Sequence, residues 1–436
     1  MKNFKLLPIT VAVAASVASL SSFAADADIE ALEKRIQELE SRVVDIDYTD
    51  DQQPAVLTPD TPVTDGIIFS GYARYGAHSS SGDNRYVEVG STGRSLGRLG
   101  NESNGGEVQL AKIFQADSGA KWDLVFMVDD WSNDAWGSSG GINLKKMYAG
   151  VTNIFESQPE LYMWGGRDFH QRPQQGLNDY FWMTHDGQGG GFNNLNLGAA
   201  KFDMAIVGQV DSEDGALGND NGRYAVTSKL HSINAGIGNL DIYANYGFAS
   251  DEANEVGEAK VSDENAWQLG ATLGLGDSNK LVVKYADGAD DSVFDLAGDK
   301  SVFYASVEGN YAVSNQFIID YLVSYKDISG DDYKDANTGR NLDKNEYAGI
   351  VRPQYQWDDV HSTWLEAGYA MEDFDDGGEK NGWKVTLSQN VSLGGMPGSR
   401  PMLRFYTTIG DVETKNMTER KTADTLAFGA MFEAWW

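Results

Sequence analysis

TLAFGAMFEAWW, the run Thr425–Trp436 that ends the chain, decides the fold. Its even positions are Leu426, Phe428, Ala430, Phe432, Ala434 and Trp436; the odd ones between them are Ala427, Gly429, Met431, Glu433 and Trp435. A period of two describes a strand with one apolar and one mixed face. A soluble protein ending on such a strand would carry an edge prone to aggregation. In a transmembrane barrel the same strand sets its apolar side in lipid and its aromatic end in the interfacial girdle. Trp435 shares parity with Glu433, which cannot face lipid. An aromatic ring is thereby placed in the lumen, on a surface along which a solute can slide.

The alternation recurs from Ile67 onward. Ile67, Phe69, Gly71, Ala73 and Tyr75 oppose Ile68, Ser70, Tyr72 and Arg74. Arginine faces lipid only at high cost, so Arg74 points inward and Tyr72 goes with it. By the same test Phe317, Ile319, Tyr321, Val323 and Tyr325 face out, leaving Asp320, Ser324 and Lys326 inside. Trp383, Val385 and Leu387 oppose Lys384, Thr386 and Ser388; Leu403, Phe405 and Ile409 oppose Arg404, Tyr406 and Thr408. An inner face charged with both signs reads as a wet channel, not a packed core. Long acidic or Gly-rich intervals (Asp211–Gly222, Ser250–Asn265, Asp327–Asn345) read as outer loops. Gly276–Asn279 and Val313–Asn315 read as short periplasmic turns.

Composition agrees. Of 436 residues 49 are Gly and only 9 Pro, with 20 Tyr and 11 Trp, as many turns and two aromatic girdles require. Most of those tryptophans read as lipid-interface anchors. Mean hydropathy is −0.41, but barrel strands need only about ten alternating residues each, so the average conceals them. The roughly 370 residues after Gly66 have room for about 16 to 18 strands. Residues 1–24 read as a signal peptide: Lys2 and Lys5, an apolar run to Leu20, then Ser22-Phe23-Ala24 at a cleavage site. Zero cysteines in an exported chain exclude a disulfide framework and Cys-ligated metal. A net charge of −31 with no basic patch excludes nucleic acid as a partner.

Residues 25–47 carry a different period. Ile29, Leu32, Ile36, Leu39, Val43 and Ile46 are spaced as the a and d positions of a short α-helical coiled coil, expected to join copies of this chain in the periplasm. Residues 48–66, with three prolines, read as a stiff, extended linker. The barrel is then expected over 67–436.

Three stretches go further than a generic barrel. Phe69–Gly76 (FSGYARYG), Gly97–Glu102 (GRLGNE) and the terminal FGAMFEAWW resemble the maltoporin family of sugar-specific porins; Gln354–Tyr369 and Ser399–Phe405 extend the resemblance. It implies an all-β, 18-stranded antiparallel barrel, three chains per assembly, each with its own pore in the outer membrane. The coiled-coil extension is similar in kind to that of sucrose porins. The resemblance also implies an aromatic slide on which oligosaccharide rings stack, carried by Tyr72, Trp435 and Trp131, the last lent by a neighbouring subunit. It implies a polar track of Arg74, Arg98, Glu107, Arg172 and Asp179, with Lys145 standing where an arginine is expected. The segment Arg167–Gly191 is similar to the family's constriction loop; its aromatic register leaves Asn178 and Tyr180 as alternatives to Asp179. Where the family has slide aromatics this chain has Gly105-Gly106 and Gly398, and Ser103 stands at a family cysteine. Trp364 shares parity with Glu366, as an inward ring or a girdle residue.

The function so implied is passive, saturable diffusion of oligosaccharides, maltodextrin-like or related. The alternative is a general, cation-leaning porin that sieves by size. An enzyme is not expected, because His78, His170, His185, His231 and His361 sit singly, outside any catalytic motif. No cofactor is implied; Ca²⁺ on the acidic outer loops is the one ion left open.

Overall fold

Because side chains alternate across a strand, each charged inner position must be followed by one that tolerates lipid, and the structure obeys this down to adjacent residues. Phe405 is 54 % exposed on the outer wall, while Arg404 beside it is 1 % exposed within. The computed structural model describes residues 57–81, 86–131, 141–210, 222–250, 264–276, 278–330, 342–394, 400–417 and 423–436. The expected signal peptide and coiled coil, and Gly398, lie outside these.

The strands run β1 (Ile68–Ser80), β2 (Gly105–Gln115), β3 (Lys121–Asp130), β4 (Asn143–Thr152), β5 (Tyr162–Asp168), β6 (Gln174–Gln175) and β7 (Tyr180–Phe181). They continue through β8 (Gly187–Asn196), β9 (Lys201–Val210), β10 (Gly222–Asn234), β11 (Asn239–Ala249), β12 (Asn265–Leu275) and β13 (Asn279–Asp287). The last seven are β14 (Ser301–Ser314), β15 (Phe317–Ser329), β16 (Lys344–Gln356), β17 (His361–Phe374), β18 (Glu379–Ser392), β19 (Met402–Lys415) and β20 (Ala423–Trp435). All but β6 and β7 form one 18-stranded sheet in which each strand pairs antiparallel with the next, β5 passing directly to β8. The sheet closes where β20 meets β1, with Tyr72 opposite Trp435 and Arg74 opposite Glu433. Closure leaves the described 18-stranded sheet without an edge, so its backbone groups are paired between neighbouring strands and not turned to lipid.

The inner face departs from a plain wet channel. Three segments of the long-loop end fold inward against it: Tyr86–Asn104, Phe169–Asp186 with the β6–β7 hairpin, and Gly288–Lys300 with its 3₁₀ turn Val293–Asp295. They carry apolar side chains that an outer loop in water would not need, among them Val87, Val89, Leu96, Leu99, Val293 and Phe294, all buried. Wall charges meet them in pairs. Lys384 donates to the carbonyls of Gly97 and Leu99 (2.5 Å each) and to Glu366 (3.1 Å), whose other oxygen takes a two-pronged contact from Arg352 (2.5 and 2.9 Å). A wall charge taken out of water is tolerable only when so satisfied.

Residues 57–66, expected as an extended spacer, turn at Thr58–Thr61 and dock at the short-turn end of the barrel. Leu57 is 4 % exposed in the same apolar cluster as Ile113. Lys121 donates to the carbonyls of Pro59 and Thr61, and Lys112 to those of Thr64, Asp65 and Gly66. Bonds from a charged donor contribute roughly 1.5–3 kcal/mol each. Lys121→Ala is therefore expected to speed proteolytic cleavage at residues 57–66 by about tenfold or more, with the barrel still heat-modifiable on gels. Cleavage at the wild-type rate would mean that Lys121 does not hold this segment.

Candidate functional site

The closure seam builds the site. Tyr72 on β1 projects inward, level with Glu107 on β2 and Trp435 on β20. Its ring lies 5.8 Å from Trp131 and 6.3 Å from Trp435, at interplanar angles of 25° and 22°. Three nearly parallel rings thus run along one wall. A guanidinium covers each outer ring: Arg74 at 5.1 Å from Trp131 and Arg400 at 4.1 Å from Trp435. Trp131, which the resemblance assigns to a neighbouring subunit's channel, stacks here on Tyr72 of its own chain.

Beside the rings lies a ladder of charge centred on Glu433, which is 2 % exposed. Its carboxylate accepts from Tyr72 Oη (2.8 Å), Arg98 (3.0 Å), Arg400 (2.5 and 3.0 Å) and Arg404 (3.3 Å). Arg74 reaches Asp179 (2.6 Å) and the Ser103 carbonyl (2.9 Å), and Arg94 donates to the Ser103 hydroxyl (2.9 Å). The serine at the cysteine position is therefore a hydrogen-bonding partner of two arginines. Asp179, Asn178 and Tyr180 take different partners in the inward-folded loop. Asp179, with φ of 58°, turns to Arg74, whereas the Asn178 amide donates to the Thr92 carbonyl (3.1 Å) and the Tyr180 hydroxyl to Asp291. Burial alone would raise the Asp179 carboxyl, but Arg74 and Arg98 outweigh it and hold the group below the usual carboxylate range.

The other expected track residues form a second cluster. Glu107 stands opposite Asp129 as well as Tyr72. Lys145 pairs with Asp129 (3.4 Å), and Arg172 pairs with Asp186 (3.5 Å) while held between Phe169 (4.2 Å) and Phe181 (4.1 Å). The structure therefore joins Tyr72, Trp131, Trp435, Arg74, Arg98 and Asp179 in one constellation and sets Lys145 and Arg172 beside it. Trp364 points inward but is 2 % exposed beneath Arg352, Arg400 and Arg404, so it is neither girdle nor open lumen surface. Sequence reasoning passed over Glu433 and Arg400 as site residues. The inward parity of Glu433 beside Trp435 was the available signal; for Arg400 it was its place in the stretch Ser399–Phe405.

Two histidines fix the base of the constriction loop. His170 Nε2 lies 2.6 Å from Thr227 Oγ1, and the His185 N–H donates to the His170 carbonyl (2.9 Å). The His185 ring packs on Phe294 and accepts from the Val293 N–H (3.4 Å). Burial pushes His170 down to about 4 and His185 to about 3, from 6.5. An undocked histidine gains its proton as pH falls through about 6.5, so docking is at full strength above that pH. Each histidine then costs the docked loop about 1.4 kcal/mol per pH unit down to its own depressed value. Single-channel current is expected to be quiet at pH 7 and to flicker by pH 4, with the change reduced in His185→Gln. Equal noise at both pH values would contradict this account of the loop.

Comparison with known proteins agrees with this architecture. The LamB porin family profile matches residues 67–436, the whole barrel. A maltoporin of Vibrio cholerae serotype O1 is 29 % identical over 406 residues, covering 85 % of this chain and 95 % of the relative. A maltoporin of Photobacterium profundum is 26 % identical over 420 residues, covering 88 % and 96 %. Among solved structures, Pseudomonas aeruginosa OccD3 aligns at 11 % identity with a TM-score of 0.46, over 87 % of this chain and 94 % of its own. The Escherichia coli outer-membrane protein Wzi aligns at 11 % identity with a TM-score of 0.45, over 84 % and 83 %. A barrel that closes on itself, faces lipid with its apolar parity and matches one family from its first strand to its last is an integral protein of the outer membrane. The chain belongs to the LamB porin family.

Proposed function

We propose that this chain, assembled as a homotrimer in outer-membrane lipid, gives passive and saturable passage to oligosaccharides. The observation that carries the reading is the strip of three near-parallel rings, Trp131, Tyr72 and Trp435, beside the arginine–carboxylate ladder of Glu433 and Asp179. A pyranose presents an apolar face that an aromatic ring covers at low entropic cost. Its hydroxyls exchange hydrogen bonds with groups whose partners already hold them in place, and the fork of arginine donates in two directions at once. Affinity is expected to be weak, about 4 to 6 kcal/mol, because a channel must also release its cargo. No cofactor enters this mechanism, and residues 25–66 lie on the periplasmic side in this reading.

The net charge of −31 favours a second reading, a cation-leaning pore that sieves by size. Liposome swelling separates the two. Saccharide flux that saturates with concentration, and that one sugar inhibits for another, supports a sugar channel. Rates that follow molecular size alone, without saturation, refute it.

A further inference from the structure

We infer that Lys326 is the residue that positions the constriction of this pore: one ammonium on the wall binds all three inward-folded segments at once and so fixes the width left between them. The inference holds for either reading of the cargo, selected by binding or by size.

Lys326 lies on β15 with the inward parity of Ser324, and its side chain is 1 % exposed. An ammonium has three N–H donors and accepts nothing. Its nitrogen lies 2.8 Å from Asp290, 3.0 Å from the Ser91 hydroxyl and 3.4 Å from the Tyr180 hydroxyl. Each partner belongs to a different segment: Ser91 to Tyr86–Asn104, Tyr180 to Phe169–Asp186 and Asp290 to Gly288–Lys300.

The partners are themselves held so that each offers an oxygen to this one cation. Ser91 donates its hydroxyl (3.0 Å) and its backbone N–H (2.9 Å) to Glu346 on β16. The Tyr180 hydroxyl donates to Asp291. A hydroxyl whose proton is already committed serves Lys326 as an acceptor. Asp290 takes a second ammonium from Lys300 (2.8 Å), and its N–H donates to Asp295 (3.0 Å).

Lys284 on β13 sits in the same charge cluster but ties fewer segments. It donates to the Trp182 carbonyl (2.8 Å), the Asp290 carbonyl (2.9 Å) and Asp291 (2.8 Å), none of them in Tyr86–Asn104. The far end of Tyr86–Asn104 has its own anchor, Lys384 on the Gly97 and Leu99 carbonyls. The constriction hairpin is thus slung between two walls, with Asp179 on Arg74 of β1 (2.6 Å) and its neighbour Tyr180 on Lys326 of β15. Without Lys326 the hairpin keeps its hold on β1, loses its contact with β15, and no longer shares a tie with the other two segments.

The chain has no cysteine, so a single introduced one reports without background. Val89→Cys, Leu177→Cys and Val293→Cys place one buried thiol in each segment, and Leu99→Cys places one beside the Lys384 anchor. The rate of modification by a water-soluble methanethiosulfonate is measured in full-length protein, with heat-modifiability on gels confirming a folded barrel. Lys326→Met is expected to speed the first three about tenfold or more and to leave Leu99→Cys unchanged. Lys284→Met is expected to speed only those at 177 and 293. Single-channel conductance is expected to rise in Lys326→Met. Where Lys326→Met does not fold, Lys326→Gln, whose amide has two donors for three segments, is read by the same reporters. A rise at fewer than three segments, a rise that extends to Leu99, or one pattern common to both lysine variants overturns the inference. So does a conductance equal to that of wild type once all three reporters have moved.

Discussion

Glu433→Ala is expected to abolish saccharide block and turn the pore toward anions, while leaving the barrel folded. This carboxylate is shared by Arg98, Arg400, Arg404 and Tyr72. Its removal takes the paired carboxylate from Arg98 and Arg400, beside the aromatic strip, and leaves Arg404 to Glu102. The nearby carboxylates Glu102 and Asp179 are already engaged, with Arg404 and Arg74. Breaking a buried ion pair by removing one partner typically costs about 3–5 kcal/mol. The site can escape that cost by rearranging toward the lumen and drawing in anions, which the reversal potential across a salt gradient reports directly. Glu433→Gln keeps an acceptor oxygen for Tyr72 but not the charge, and should fall between the variant and wild type. A reversal potential and sugar block both unchanged in Glu433→Ala would mean that the arginines are not held by this residue.

Tyr72→Ala should be the most damaging single change to saccharide affinity that spares conductance. Tyr72 is the middle ring, with Trp131 on one side and Trp435 on the other. Aromatic pairings of this kind contribute roughly 0.5–1.5 kcal/mol each, so losing both weakens block by about tenfold to a hundredfold. Tyr72→Phe separates the two jobs of the side chain. It keeps the strip continuous and loses only the hydrogen bond to Glu433 (2.8 Å), for which a loss of no more than about tenfold is expected. A Phe variant as weak as the Ala variant would shift the weight of the site from stacking to the hydroxyl.

What could be read before the structure was whatever a period of two encodes. Arg404 against Phe405, and Lys384 against Trp383, announce their faces because lipid excludes one member of each pair. Tyr72 and Trp435 likewise face inward as parity requires, whereas their meeting where β20 closes on β1 is a matter of strand pairing that parity does not encode. The three inward segments could not be read this way. Leu96 and Leu99 have no periodic neighbours, and their burial depends on wall residues such as Glu366 and Lys384, some 270 positions away. The apolar content of Tyr86–Asn104 and Gly288–Lys300 was the only trace of it. The register at Asp179 hangs on a left-handed backbone at that residue, a property that aspartate permits but does not announce.

The most direct measurement is the single-channel conductance of the purified full-length protein in a planar bilayer, titrated with maltose, maltohexaose, sucrose and cellobiose. The account predicts that at least one of them blocks the current saturably, and that Trp435→Ala weakens this block without closing the pore. An ohmic current untouched by every sugar would contradict it, leaving a barrel that sieves by size and an aromatic strip with no part in transport.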